Sequence, residues 1–182
     1  MRLALPAFAA VLLAACTSQP DYREETAAPS TVPSVDLTRY AGLWYEIARY
    51  PNRFERDCTG VTAEYGLKDD GTVSVTNTCF EGSLDGEKKV AEGRARVVEG
   101  SGNSQLKVKF APSWVPFAEG DYWILALEPD YSASLVGSPD GKYLWILSRT
   151  PQLAPAKLEG LKQRAEDLGY ETAPLEMTVQ PQ

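Results

Sequence analysis

From residue 37 onward the chain is a succession of short apolar-polar alternations, broken at fairly even spacing by clusters of Gly, Pro, Asn and Asp. Alternation with period two puts successive side chains on opposite faces of a strand, and a chain built almost wholly of such runs folds as a sandwich or a barrel. Eight strands are expected, at 42–49, 60–67, 73–79, 92–98, 106–110, 122–127, 134–136 and 143–148. The segments Lys68-Asp69-Asp70-Gly71, Glu99-Gly100-Ser101-Gly102-Asn103 and Ser138-Pro139-Asp140-Gly141 carry turn chemistry, because Gly, Asn and Asp tolerate left-handed backbone and Pro fixes φ. Strands joined this way are antiparallel neighbours, and eight of them close into a barrel without free edges and with room for one small ligand. One helix is expected at 155–168, where Ala154, Leu158, Leu161, Ala165 and Leu168 form a single apolar stripe and Gly169 provides the stop. The fold class is therefore all-β, an eight-stranded antiparallel up-and-down barrel with one C-terminal α-helix packed outside. Leu175, Met177 and Val179 alternate and predict a last short strand near the barrel's start.

Following the chain back and forth assigns the two ends. Trp44, early in the first strand, and Arg149, just after the eighth, arrive at the same end, where an arginine fork can lie flat on an indole. That end is the expected floor. The opposite end, the mouth, then carries the loops 51–57, 80–89, 111–121 and 138–142. The longest of these contains Trp114 and Phe117, apolar residues suited to a lid, a membrane-facing patch or simple packing.

The N-terminus is of another kind. A basic start, an apolar run from Leu3 and the small residues Ala14-Ala15 before Cys16 describe a secretory signal over residues 1–15, too short to span a bilayer. Residues 16–36, rich in Thr, Ser, Pro and charge, read as a flexible tether, and residues 37–182 as one domain with its own core. The formal charge of −7 offers no basic face, so no nucleic-acid partner is expected. Beyond Cys16 there is one pair, Cys58 and Cys79, and export makes a disulfide the natural expectation. Pairing Tyr65 with Val75 sets Cys79 opposite Val61, so a bridge to Cys58 needs a bulge, placed at Thr59-Gly60.

Three motifs in order carry a family resemblance. Gly42-Leu43-Trp44 matches the first-strand G-x-W motif of the lipocalins. Gly120-Asp121-Tyr122 stands where the second motif falls, with Gly120 replacing the usual threonine. Ser148-Arg149-Thr150-Pro151 matches the third, whose arginine packs on the motif tryptophan. Together with Leu13-Ala14-Ala15-Cys16, which resembles a lipobox, the chain is similar to the bacterial outer-membrane branch of that family. The resemblance implies a carrier of small hydrophobic molecules, lysophospholipids or fatty acids, in storage, transport or maintenance of membrane lipids. It also implies an acylated Cys16 holding the protein on the outer membrane, with the barrel facing the periplasm. A homodimer is a further partner that the sequence leaves open.

Parity along the strands nominates the residues that face the ligand: Ala63, Tyr65, Val75, Asn77, Val108, Phe110, Tyr122, Tyr143 and Trp145, with Trp114 and Phe117 from the mouth loop. Arg53 and Arg56, on the first mouth loop, have the fork geometry to receive an anionic head group. Gly42, Trp44 and Arg149 are fold residues of the floor. A competing reading fills the barrel with its own side chains and makes the mouth a protein-binding surface of a structural envelope lipoprotein. The chain has no histidine, which removes His-containing triads and the commonest zinc ligand. No enzyme activity, metal or cofactor is expected.

Overall fold

In the computed structural model the residues described are 19–110 and 119–182. The expected signal segment, the lipidation site Cys16, and Trp114 and Phe117 lie outside them. A four-residue helix, α1 (Leu37–Tyr40), precedes eight strands in chain order: β1 (Gly42–Arg49), β2 (Cys58–Leu67), β3 (Val73–Glu81), β4 (Lys88–Val97), β5 (Gln105–Lys109), β6 (Glu119–Leu127), β7 (Ala133–Gly137) and β8 (Leu144–Ser148). Helix α2 (Pro155–Asp167) and a two-residue strand, β9 (Glu176–Met177), complete the described elements. Each strand pairs antiparallel with the next, and β1 pairs with both β8 and β2, so the sheet closes into the expected barrel.

Two apolar layers follow from the period-two alternation. Inside the barrel lie Trp44, Tyr65, Val73, Val75, Ala95, Leu106, Ile124, Val136 and Leu147. Outside it, Leu125, Ala133, Leu135, Leu144 and Ile146 pack against Leu161 and Ala165 of α2 and Leu168 at its C-cap, part of the stripe expected of that helix. Pro155 opens the helix at a position where its missing N–H costs nothing. Gly169, at φ +83°, ends it in the left-handed region, donating to Glu166 O at 2.9 Å.

The C-terminal strand does more than decorate the start of the barrel. Beyond Tyr45 the β1–β2 ladder stops. Residues 176–180 continue on that side of β1: β9 pairs with Ala48 and Arg49, and Gln180 Nε2 donates to Glu46 O and to Val61 O, both at 2.8 Å. The tail thus bridges β1 and β2 where they have parted.

The expectation of a flexible tether over 16–36 needs correction for its described part. Tyr22 N donates to Gly141 O at 3.0 Å, Val32 N to Ile124 O at 3.0 Å and Val35 N to Gly102 O at 2.8 Å, and Val35 is buried. Composition suggested little to bury, but a polar segment can still be laid on a barrel through its backbone, since every N–H and C=O is a strong bonding group. Asp36 then caps α1, its carboxylate accepting from Thr38 N at 2.9 Å.

Candidate functional site

The floor is built from α1, the start of β1 and the end of β8. Trp44 is fully buried and donates from Nε1 to Tyr40 O at 2.8 Å. Arg149 lies over its ring, Cζ 3.9 Å from the centroid, and donates to Leu43 O at 2.8 Å, Arg39 O at 2.6 Å and Tyr40 O at 3.0 Å. Gly42 is required here by its backbone, whose φ of +91° lies in the left-handed region; an added Cβ would make only an ordinary contact, 3.6 Å, with the Arg149 guanidinium. Above this plug three phenols share hydrogen bonds, Tyr40 to Tyr122 at 2.8 Å and Tyr65 to Tyr122 at 2.9 Å. Burial pushes the Tyr40 hydroxyl up to about 12 and raises Tyr65 and Tyr122 as well, so all three stay protonated. The space left between Tyr40, Tyr65, Leu106 and Tyr122 is about 10 Å³, the threshold for one water. This end is filled.

Toward the mouth the same strands present smaller and less buried inward residues. Ala63 pairs with Asn77 and Asn77 with Ala91, while Gly93 pairs with Val75 and Gly120 with Val108. Val73, Val75, Ala95 and Leu106 are buried, whereas Ala63, Asn77, Val108 and Trp145 are half-buried and Phe110 is 46% exposed. Asn77 Oδ1 is buried and accepts no hydrogen bond among the described residues. A buried acceptor without a donor carries a cost of about 1–3 kcal/mol. Among the described residues the upper half is therefore a cup lined by smaller, more solvent-accessible side chains, above a closed phenolic floor.

One wall of that cup is aromatic. Trp145 and Tyr143 stack with centroids 5.5 Å apart, Phe54 stacks on Tyr143 at 5.9 Å, and the Arg53 guanidinium lies 5.1 Å from the Phe54 ring. Arg53 and Arg56 stay exposed at the rim.

Behind the stack is a buried charge cluster, of which parity reaches only Glu46. The β1–β8 register shifts between Glu46 and Ala48, so that Glu46 faces Leu147 and Arg49 faces Trp145, both inward partners. Glu46 and Arg49 are 2% and 6% exposed. Arg49 Nη1 lies 3.5 Å from Glu46 Oε1, Nε 3.6 Å from Glu55 Oε2, and Nη2 3.6 Å from Glu176 Oε2. Arg49 Nη2 also donates to Glu55 O at 2.8 Å, and Trp145 Nε1 to Glu55 Oε2 at 3.3 Å. Asn52 Nδ2 donates to the same carboxylate oxygen, and Thr178 Oγ1 to Glu46. Burial, reinforced by the nearby Glu55 charge, holds the Glu46 carboxyl well above the usual carboxylate range.

The structure thus separates the sequence-nominated residues. Tyr65, Val75 and Tyr122 belong to the floor half and its phenol network. Ala63, Asn77, Val108, Phe110, Tyr143 and Trp145 line the upper cup. Glu46, Arg49, Glu55 and Tyr40 were missed; Glu46, two residues after inward Trp44, was readable by parity. Cys58 and Cys79 are bonded, and the enabling bulge falls where expected: Tyr65 faces Val75, Thr62 faces Thr78, and one residue is then skipped so that Thr59 faces Phe80. Gly60, at φ +57°, supplies the left-handed residue in that bulge. Of the second motif, Asp121 is fixed by Lys107 at 2.6 Å and by Trp123 Nε1 at 3.2 Å, on the outer face.

Comparison with known proteins gives consistent matches. A lipocalin-like domain profile matches residues 35–180. The outer membrane lipoprotein Blc of Vibrio cholerae is 38% identical over 173 residues, covering 94% of this chain and 95% of its own. Temperature-induced lipocalin-1 of Arabidopsis thaliana is 38% identical over 154 residues, 82% of this chain and 81% of that protein. Among solved structures, insecticyanin from the tobacco hornworm Manduca sexta matches with a TM-score of 0.67 at 21% identity, covering 90% of this chain and 88% of that one. Lobster apocrustacyanin A1 matches at 0.65 and 21% identity, covering 91% and 94%. These last two speak to the fold alone.

Proposed function

This chain belongs to the lipocalin family, and from that premise we propose that it carries lysophospholipids or fatty acids in the storage, transport or maintenance of membrane lipids. Membership of the family implies the binding of small hydrophobic ligands. The observation that carries the finer reading is the division of the barrel interior. The floor is filled and hydrogen-bonded, while the mouth half is lined by Ala63, Ala91, Gly93 and Val108 and opens past an aromatic wall. An acyl chain fits the open half, with its end on the phenol floor and its head near the rim, where Arg53 and Arg56 stand. Similarity to outer membrane lipoproteins supports an envelope protein; the anchor in this reading is an acylated Cys16, and the barrel faces the periplasm.

The test is native mass spectrometry of the purified protein titrated with a lysophospholipid. A one-to-one adduct is expected, and Ala63→Trp, which puts an indole into the cup opposite Asn77, should abolish it while leaving the fold intact by circular dichroism. Bare protein throughout the titration would sink the carrier reading in favour of a filled barrel that binds a protein partner.

A further inference from the structure

The donors around Glu55 come from three separate elements and meet on one carboxylate. Arg49 is the last residue of β1, Trp145 lies on β8, and Asn52 lies in the connection between β1 and β2. We propose that these three residues form an anion site in the wall of the cup, occupied here by the chain's own Glu55, and that the anionic head of a single-chain amphiphile, carboxylate or phosphate, displaces Glu55 to bind there. The inference rests on the carrier reading and names the chemistry of its head group.

Four observations carry it. First, the arginine fork is incompletely used. Arg49 Nε is buried and makes no hydrogen bond among the described residues, since Glu55 Oε2 stands 3.6 Å away, while Nη2 takes the backbone Glu55 O at 2.8 Å. A guanidinium edge offers two parallel N–H groups, which a free carboxylate or phosphate accepts together. Glu55 covers that edge with two different groups and satisfies one N–H.

Second, the occupant is on a loop and the donors Arg49 and Trp145 are on strands. Vacating the edge therefore asks the Glu55 side chain to turn toward solvent and its loop carbonyl to release Nη2, and leaves the two strand donors where they are. Third, the site is at the right depth. Arg49 ends β1 at the mouth and faces Trp145, so a head group held there leaves its chain pointing past Ala63 and Asn77 toward the phenol floor. Fourth, the neighbouring charges permit it. Burial pushes the Glu46 carboxyl well above the usual carboxylate range, which weakens its claim on Arg49, and Glu176, the other acid on Arg49, is half exposed on β9 and well solvated. Displacing Glu55 thus leaves Arg49 with an anion of its own, supplied by the ligand.

The site and the rim arginines make different forecasts. If Arg53 and Arg56 alone receive the head group, Glu55 is a bystander. If Glu55 competes with the head group, its removal strengthens binding. Dodecanoic acid, dodecyl phosphate and 1-dodecanol share a chain and differ in head group, so titrating each into wild type and E55Q, with tryptophan emission as the readout, separates the two. E55Q should tighten the acid, the phosphate or both by about tenfold, the size of one well-placed charge-assisted contact, and leave the alcohol within about twofold. Whichever anion gains more identifies the head group. E55D, whose shorter side chain reaches less far toward Arg49, should move in the same direction and keeps the test open if E55Q folds poorly. Weakened or unchanged binding of both anions, or an equal change for anions and alcohol, overturns the inference and leaves the carrier standing. Failure of wild type and both variants to bind any of the three overturns the carrier reading, and this site with it.

Discussion

Two arginines at opposite ends of the same barrel are held in opposite ways. Arg149 at the floor lies on an indole face and donates to four backbone carbonyls, which are fixed by the chain's own path. Arg49 at the mouth is more deeply buried and donates to one backbone carbonyl, Glu55 O, but otherwise faces side-chain carboxylates from β1, a loop and β9, and its Nε makes no hydrogen bond among the described residues. Backbone acceptors cannot leave without unfolding the segment, whereas carboxylates on a loop and a two-residue strand can exchange for others. The first arrangement closes a fold; the second leaves charge available to something not yet present.

The largest effect should come from the closed end. Trp44→Ala removes a fully buried indole, the partner of Arg149 and a donor to Tyr40, and should cost about 3–5 kcal/mol in urea-induced unfolding. A loss under about 1 kcal/mol would mean that the floor is no more rigid than the mouth, and the contrast would collapse.

Next comes the sign of the pH dependence at the open end. Glu46 is raised above its ordinary value of 4.5 by burial and by Glu55. Above that value the unfolded chain has released its proton while the folded one retains it, so this group's contribution to stability is full at low pH and is lost as pH rises through the folded value. The decline is at most about 1.4 kcal/mol per pH unit. Glu46→Gln removes a titrating group from the buried cluster, so its stability relative to wild type should grow as pH rises above the ordinary carboxylate value of 4.5 in parallel urea titrations. A difference that shrinks with pH would show Glu46 ionised in the fold, held by Arg49, and would make the mouth cluster an ordinary ion pair.

What was legible follows the same division. The floor motif was readable because Trp44 and Arg149 are brought together by strand count alone, and the Cys58–Cys79 bridge because register arithmetic demanded one extra residue, which the structure provides. Tyr40 was not, since a four-residue helix has no periodicity to detect. Arg49 was hidden by the bulge in β1: strict alternation from inward Trp44 puts residue 49 outside, and the register shift between Glu46 and Ala48 turns it in. Glu55 sits in a connection, where parity says nothing. The charged residues gathered at the mouth are thus the irregular positions that a periodic reading passes over.

Smaller effects probe the boundary between the halves. Tyr122 joins Tyr40 to Tyr65 through its hydroxyl, so Tyr122→Phe should cost about 1 kcal/mol in unfolding, the worth of a shared hydrogen bond lost from both neighbours. A neutral result would place the phenols in the wet cup rather than on the dry floor.

The smallest effect expected on stability is also the most discriminating. Phe54 completes the aromatic stack above Tyr143, yet its side chain is 63% exposed. A ring so placed buries little area in the absence of ligand, and surface substitutions of this kind fall within about 0.5 kcal/mol. Phe54→Ala should therefore leave the unfolding midpoint almost unmoved while weakening binding of a single-chain amphiphile, because the ring gains a buried face only when a chain or head lies against it. The two readouts must separate. If stability falls by 1–2 kcal/mol and binding does not change, the stack is part of the packed core, the open half is narrower than the exposed rings imply, and the mouth is built on the same principle as the floor.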